Sequence, residues 1–199
     1  MIENSPLMES EGSTPSLTAN YIINVNKINN VMEFKILSSG KPIGDVISYI
    51  KNYIKQYEDT HFIEVIIGSD SQNRKRKTQY ATVILLHKTD YDLGIGKGGH
   101  VLYKTEIIDR PYASTESERR DHRSKRLLNE AWKSIEVAEM LRQNGINVDV
   151  IDLDMNPDPK YRSNDVLAQA TGWAEGMGYK VRCKPDAMSA SYAADTLVK

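Results

Sequence analysis

The chain has 199 residues, 40% hydrophobic and 27% charged, with 26 Lys and Arg against 27 Asp and Glu. That length suits one domain with an appendage. A net charge of −1 excludes bulk attraction to DNA or to an anionic membrane, so any contact with nucleic acid must come from local patches.

A single cysteine, Cys183, excludes an internal disulfide and suits a reducing compartment. There is neither an apolar run of about 18 residues nor a basic region followed by an apolar one at the start. A cytoplasmic protein without a membrane partner is expected.

Residues 1–33 are expected to form a flexible tail and arm, and 34–199 the folded domain. The first twenty are rich in Ser, Glu, Thr and Pro without periodicity, and residues 21–37 place Ile22, Ile23, Val25 and Ile28 among several Asn residues. Residues 38–42 (Ser-Ser-Gly-Lys-Pro) read as a turn. The spacing of Val46, Ile47, Ile50, Tyr53 and Ile54 predicts an amphipathic helix over 43–57.

A β-branched run predicts a first strand over 62–70, ending in Gly68-Ser-Asp-Ser-Gln72. The basic turn Asn73-Arg74-Lys75-Arg76-Lys77 leads to a second strand over 78–88. A Gly-rich hairpin connection, 90–100, precedes a third strand over 101–109. A long helix is expected over 114–143, stopped by Asn144-Gly145, and a fourth strand over 147–154. A shorter helix capped by Ser163 carries Val166, Ala170, Trp173 and Met177 on one face. A fifth strand, 179–184, and a last helix, 187–197, close the chain.

Short connections make the first three strands an antiparallel meander, and helical crossovers make the later ones parallel to their neighbours. The predicted fold is α/β: a mixed five-stranded sheet, order 3-2-1-4-5, with only strand two antiparallel and helices on both faces.

Candidate chemistry lies in the carboxylates. Asp70 ends the first strand, where open α/β sheets place their ligands, although Asp at such a position also simply begins a turn. Alternation puts Asp152 and Asp154 on one face of the fourth strand, with Asp154 at the same carboxyl edge as Asp70 and Asp152 nearer the floor or in a hydrogen bond. On the long helix, Leu127, Leu128, Ala131, Ile135, Ala138 and Leu141 define a buried stripe flanked by Glu130 and Glu139. The helix runs antiparallel to the fourth strand, so Glu130 reaches that edge, whereas Glu139 sits about 13 Å farther along the axis. Arg119, Arg123 and Arg126 are either a solvated charged surface or a basic ridge leading to the acids. Asp195 lies in the last helix, and Asp186 before it reads also as a helix cap.

The element order with Asp70, Glu130, Asp154 and Asp195 resembles the ribonuclease H-like fold and its Asp-Glu-Asp-Asp site. Ile67-Gly-Ser-Asp-Ser-Gln72, Leu153-Asp154 and Lys184-Pro-Asp-Ala through Ala194-Asp195 more closely resemble the YkuK-like bacterial proteins. Ribonuclease H itself usually carries Gly where this chain has Ser71, and no basic handle for hybrids is evident. The resemblance therefore implies nucleic acid as partner without choosing among RNA, DNA, hybrid or branched forms.

The activity it implies is two-metal hydrolysis of phosphodiesters by Mg²⁺ or Mn²⁺, the ions about 4 Å apart. All-oxygen ligands suit these hard ions. In that scheme Asp70 bridges the ions, Glu130 and Asp154 complete one site and Asp195 the other, with Asp186 as substitute or outer neighbour. Lys184, Arg123, Arg74, Lys75, Arg76 and Lys77 would contact phosphates, and His100 or His122 could shuttle protons. The alternative is a non-catalytic nucleic-acid-binding or adaptor module on the same fold.

Overall fold

The structure, a computed structural model, describes residues 33–199 except 159, 161, 162 and 188. The expected tail, residues 1–32, lies outside the described residues. The central unit is an antiparallel hairpin of two long strands, β3 (His61–Arg74) and β4 (Lys77–Asp90), paired from His61 with Asp90 to Arg74 with Lys77. Their Val, Ile and Leu residues suit a pleated surface buried on both faces, and Val65, Ile66, Ile67, Val83, Ile84 and Leu86 are all buried. The turn between them is only Lys75 and Arg76, with Lys75 in the left-handed region (φ 55°).

Among the described residues the sheet has seven strands, ordered β2-β1-β5-β4-β3-β6-β7. β5 (Gly96–Asp109) pairs antiparallel with β4, while β6 (Val150–Leu153) joins β3 and β7 (Val181–Cys183) joins β6, both in parallel. The five strands β5-β4-β3-β6-β7 thus have the expected order and directions. The expectation of five strands is corrected by a small hairpin, β1 (Phe34–Ile36) and β2 (Pro42–Ile43), which pairs with β5 through Lys35 and Ile36. Such short pieces have too little alternation to reveal themselves. Phe34, fully buried, is their anchor.

Helix α1 (Val46–Tyr57) starts at Asp45, whose carboxylate accepts the peptide N–H groups of Ile47 and Ser48. Helix α2 (Glu116–Gln143) opens on a capping box, with Thr115 and Glu118 bonding each other's peptide N–H, and stops before Gly145 at φ 74°. Helices α3 (Asn164–Gly176) and α4 (Ser189–Val198) follow. In α3 the buried residues are Val166, Ala170 and Ala174, while Trp173 meets Trp132 edge-on at 6.0 Å. Ser163 does not cap α3 with its side chain. Its hydroxyl oxygen accepts the Asn156 N–H instead.

Helices α2 and α4 cover opposite faces of the sheet, and this division governs the site. The hydroxyls of Ser69 and Ser134 meet at 2.9 Å under α2. On the other face Ala190, Ala194 and Val198 of α4 pack with Ile66, Ala81, Val83, Leu85 and Val150. Odd-numbered β3 residues therefore face α2, and even-numbered ones, Asp70 among them, face α4. Among the described residues, no helix is long and apolar enough to cross a membrane.

Candidate active site

Asp70 is not the tip of its strand. β3 continues four residues further, through pairs such as Ser71 with Tyr80 and Asn73 with Thr78, because the hairpin satisfies the backbone of these polar residues. What ends beside Asp70 is β6. Ser69 pairs with Leu153, so Asp70 and Asp154 are the next residues along two parallel neighbours. β6 stops at Leu153 while β3 runs on to Arg74, so the two acids stand where the pairing of these strands ends.

Asp70 is partly buried, and its carboxylate accepts the Ser71 N–H at 2.7 Å. Burial, followed by the charges of Asp154 and Asp195, pushes its carboxyl up to about 6 against the pull of that N–H and of Arg126. Asp195 stands on α4, the helix covering the same face. Thus strand polarity supplies Asp154, and the packing of α4 supplies Asp195.

Glu130 arrives from the other face. Its side chain is buried, accepting Ser71 Oγ at 2.5 Å and Arg126 Nη1 at 2.9 Å. The same Arg126 nitrogen donates to Ser71 O at 2.7 Å. Burial pushes the Glu130 carboxyl up to about 8, opposed by Arg126 and Ser71 and reinforced by the charges of Asp70 and Asp154. Helix phase identifies Glu130 but not its holders, Arg126 and Ser71. The four-residue spacing of Arg126 and Glu130 on a helix was the available signal.

Three of the four acids are matched by cations of the chain: Glu130 by Arg126, Asp154 by Lys184 and Asp195 by Lys199. Burial works against the charge on Lys184, but Asp154 and then Asp70 hold its ammonium above the ordinary range. Among the described residues, no three His, Cys, Asp or Glu side chains are gathered into a group that could hold a metal ion. Asp70 feels the charges of Asp154 and Asp195, and Glu130 those of Asp70 and Asp154, without a closed ligand shell being formed. The donor set nonetheless fits hard divalent ions, being carboxylate oxygens alone. Asp70, raised by burial and then by two like charges, is the carboxylate best placed to gain from one.

Other expected site residues are placed differently. Asp186 is exposed in the turn before α4. Arg74, although exposed, donates through Nη2 to Val198 O at 2.9 Å and Lys199 O at 2.6 Å, so that nitrogen is engaged at the end of α4. Lys75, Arg76 and Lys77 are exposed at the hairpin tip, and Arg123 is half-buried on α2. His100 bonds Tyr49 at 2.8 Å and stacks on Tyr53, beside Leu86 in the sheet. Asp70 neighbours Ala81, itself opposite Thr105, so His100 lies five residues along β5 and two strands away, roughly 19 Å off. Proton transfer through His100 is excluded by that separation.

Two further acids are structural. Asp152, fully buried, accepts Arg182 Nε at 2.8 Å and the Ala190 N–H at 3.2 Å. It was expected on the crevice floor or in a hydrogen bond, and the latter holds. Glu139, expected to lie on a remote helix flank, is buried and bonded by Arg142, Gln143 and Tyr179. Its turn of α2 packs against the Tyr179 segment, a neighbour that no helical wheel displays.

No curated protein and no solved structure matches the chain. A family model described as Ribonuclease H-like matches residues 45–199, which takes in α1, strands β3 to β7 and the three later helices. Sheet order, the helices on both faces and that match agree: the chain belongs to the ribonuclease H-like family.

Proposed function

We propose that the protein hydrolyses phosphodiester bonds of nucleic acid with divalent cations held by Asp70, Glu130, Asp154 and Asp195. The observation that supports this best is the pairing of Ser69 with Leu153, which brings Asp70 and Asp154 side by side where β6 ends. A Mg²⁺ or Mn²⁺ ion bound there would supply an activated water and neutralise charge developing on phosphorus.

The chain's own groups have separable tasks. Arg126 and Ser71 hold Glu130 in one orientation and offset its charge. Lys184 keeps Asp154 neutralised in this arrangement, and a phosphate oxygen is the natural partner for its ammonium once that carboxylate takes a cation. Lys199 stands in the same relation to Asp195. Asp186, exposed and one turn upstream of α4, is the alternative fourth acid.

A second reading is favoured by the three lysine and arginine partners already on the acids: a nucleic-acid-binding module without catalysis. One experiment separates the two. Single-stranded, duplex, hybrid and branched substrates are incubated with the protein in Mg²⁺ or Mn²⁺. The nuclease reading requires cleavage that chelation stops and Asp70→Asn abolishes while circular dichroism stays unchanged. Cleavage surviving in Asp70→Asn, or absent from the wild type on every substrate, would sink it.

A further inference from the structure

Beyond the acids, a pocket of about 200 Å³ opens where the β3–β4 turn meets the loop that leads into α2. Lys75, Arg76, Arg110 and Arg119 line it, with Tyr112. It is a built feature of the fold: Arg110 N–H donates to Arg76 O at 2.7 Å, and Arg110 Nη2 to Lys75 O at 2.6 Å, fastening the loop to the turn. Against the four cations stand Glu116, 3.5 Å from Arg119, and Asp109, next to Arg110 in the chain, so positive charge remains in excess. Tyr112, one of the residues lining the pocket, is 77% exposed, so its ring is open to solvent.

Two rulers relate the pocket to the acids. Along β3, Lys75 lies four residues beyond Ser71, or roughly 13 Å. Along α2, Arg119 lies eleven residues before Glu130, or roughly 16 Å. They agree, and the half-buried Arg123 and Arg126 fill the interval on the same helix.

From this geometry we infer that the pocket is a subsite for single-stranded nucleic acid, seating one backbone phosphate among Lys75, Arg76, Arg110 and Arg119 while an unpaired base stacks on Tyr112. Cations that track a backbone beside an exposed ring are the combination that holds single strands, since a ring can stack only on a base that is not already in a duplex. The site lies a few nucleotides from the acids, so it would hold the chain on one side of the bond to be cut. The inference rests on the nucleic-acid reading above and adds a strand preference to it.

Binding is measured on the full-length protein in EDTA, by fluorescence anisotropy of a short fluorescein-labelled oligodeoxythymidylate and of a duplex of equal length. The single strand should bind more tightly. Tyr112→Ala should weaken it about tenfold and Tyr112→Phe should not. Lys75→Gln with Arg76→Gln should weaken binding and flatten its salt dependence by about 0.7 in log–log slope per lost phosphate contact. Equal or tighter duplex binding, or unchanged affinity in both Tyr112→Ala and the Lys75→Gln/Arg76→Gln variant, would overturn the subsite. A wild type that binds so but cleaves nothing leaves the subsite standing and removes the nuclease. Cleavage by a protein whose pocket variants bind undiminished does the reverse.

Discussion

Ser71 Oγ donates to Glu130 Oε1 at 2.5 Å, so the residue after Asp70 fastens the acid that arrives from the opposite face of the sheet. Successive β3 side chains point to opposite faces. Asp70 can therefore face α4 while its neighbour holds α2. This is how a single strand can position acids on both of its sides.

Removing that hydroxyl leaves a buried carboxylate with one donor fewer. Ser71→Ala should destabilise the fold by about 1–3 kcal/mol, the cost of an unmet buried polar group. Urea denaturation would show it as a lower midpoint with an unchanged slope. An unchanged midpoint would mean that the hydroxyl contributes nothing to holding Glu130.

Asp70 carries the metal prediction. A cation that binds only the folded protein raises its stability by mass action, by about 2.7 kcal/mol at a hundredfold excess over its dissociation constant. Millimolar Mg²⁺ or Mn²⁺ should raise the melting temperature of the wild type, and raise that of Asp70→Asn much less. Equal shifts in the two proteins would place any bound ion away from Asp70.

Asp152 has a different role from its neighbour Asp154. It is fully buried, and joins Arg182 on β7 to the peptide N–H of Ala190 in α4. Asp152→Ala removes one member of a mostly buried ion pair and strips a partner from α4, which carries Asp195. A loss of about 3 kcal/mol is expected in thermal or urea unfolding. A variant as stable as the wild type would show that α4 is held by its apolar face alone.

Glu118 sets an acid-side dependence. The peptide N–H of Thr115, then the hydroxyl and peptide N–H of Ser114, pull its carboxyl down to about 2 from an ordinary 4.5. The unfolded chain therefore binds the proton first, so the stabilisation is full above about 4.5 and is lost as the pH falls towards 2. Glu118→Gln should show a shallower loss of stability across that window. Parallel curves for variant and wild type would show that the capping box contributes nothing at this end of α2.

Much of the scaffold was legible because it depends on local pattern. The β-branched runs around Ile66 and Ile84, the four-residue phase of Ala131, Ile135 and Ala138, and Gly145 at a helix end each report their own conformation. Connection lengths then determine strand direction, which aims Asp70 and Asp154 the same way, while the register that pairs Ser69 with Leu153 sets them side by side. The helical stripe needed one adjustment, since Leu128 is only half-buried. Glu130 was found from helix phase and polarity, which are also sequence properties.

Contacts between distant segments decided the rest. Glu130 and Glu139 look alike on a helical wheel, but one meets Ser71 and the other Tyr179, partners separated from them by 59 and 40 positions. Arg74 is an exposed cation whose Nη2 meets the carbonyls of Val198 and Lys199, a contact across 124 and 125 positions that local pattern does not encode. Asp154 and Lys184 are thirty positions apart and become an ion pair only because β7 adds in parallel to β6. Sequence by itself points to Asp70, Asp154 and Glu130 as the acids for one edge, because strand polarity and helix phase are encoded within each element, whereas Asp195 is suggested by the family resemblance. Tertiary structure alone decided which side of the sheet each acid occupies and which cation it meets, because charge interactions depend on separations that the packing of α2, α4 and β7 creates.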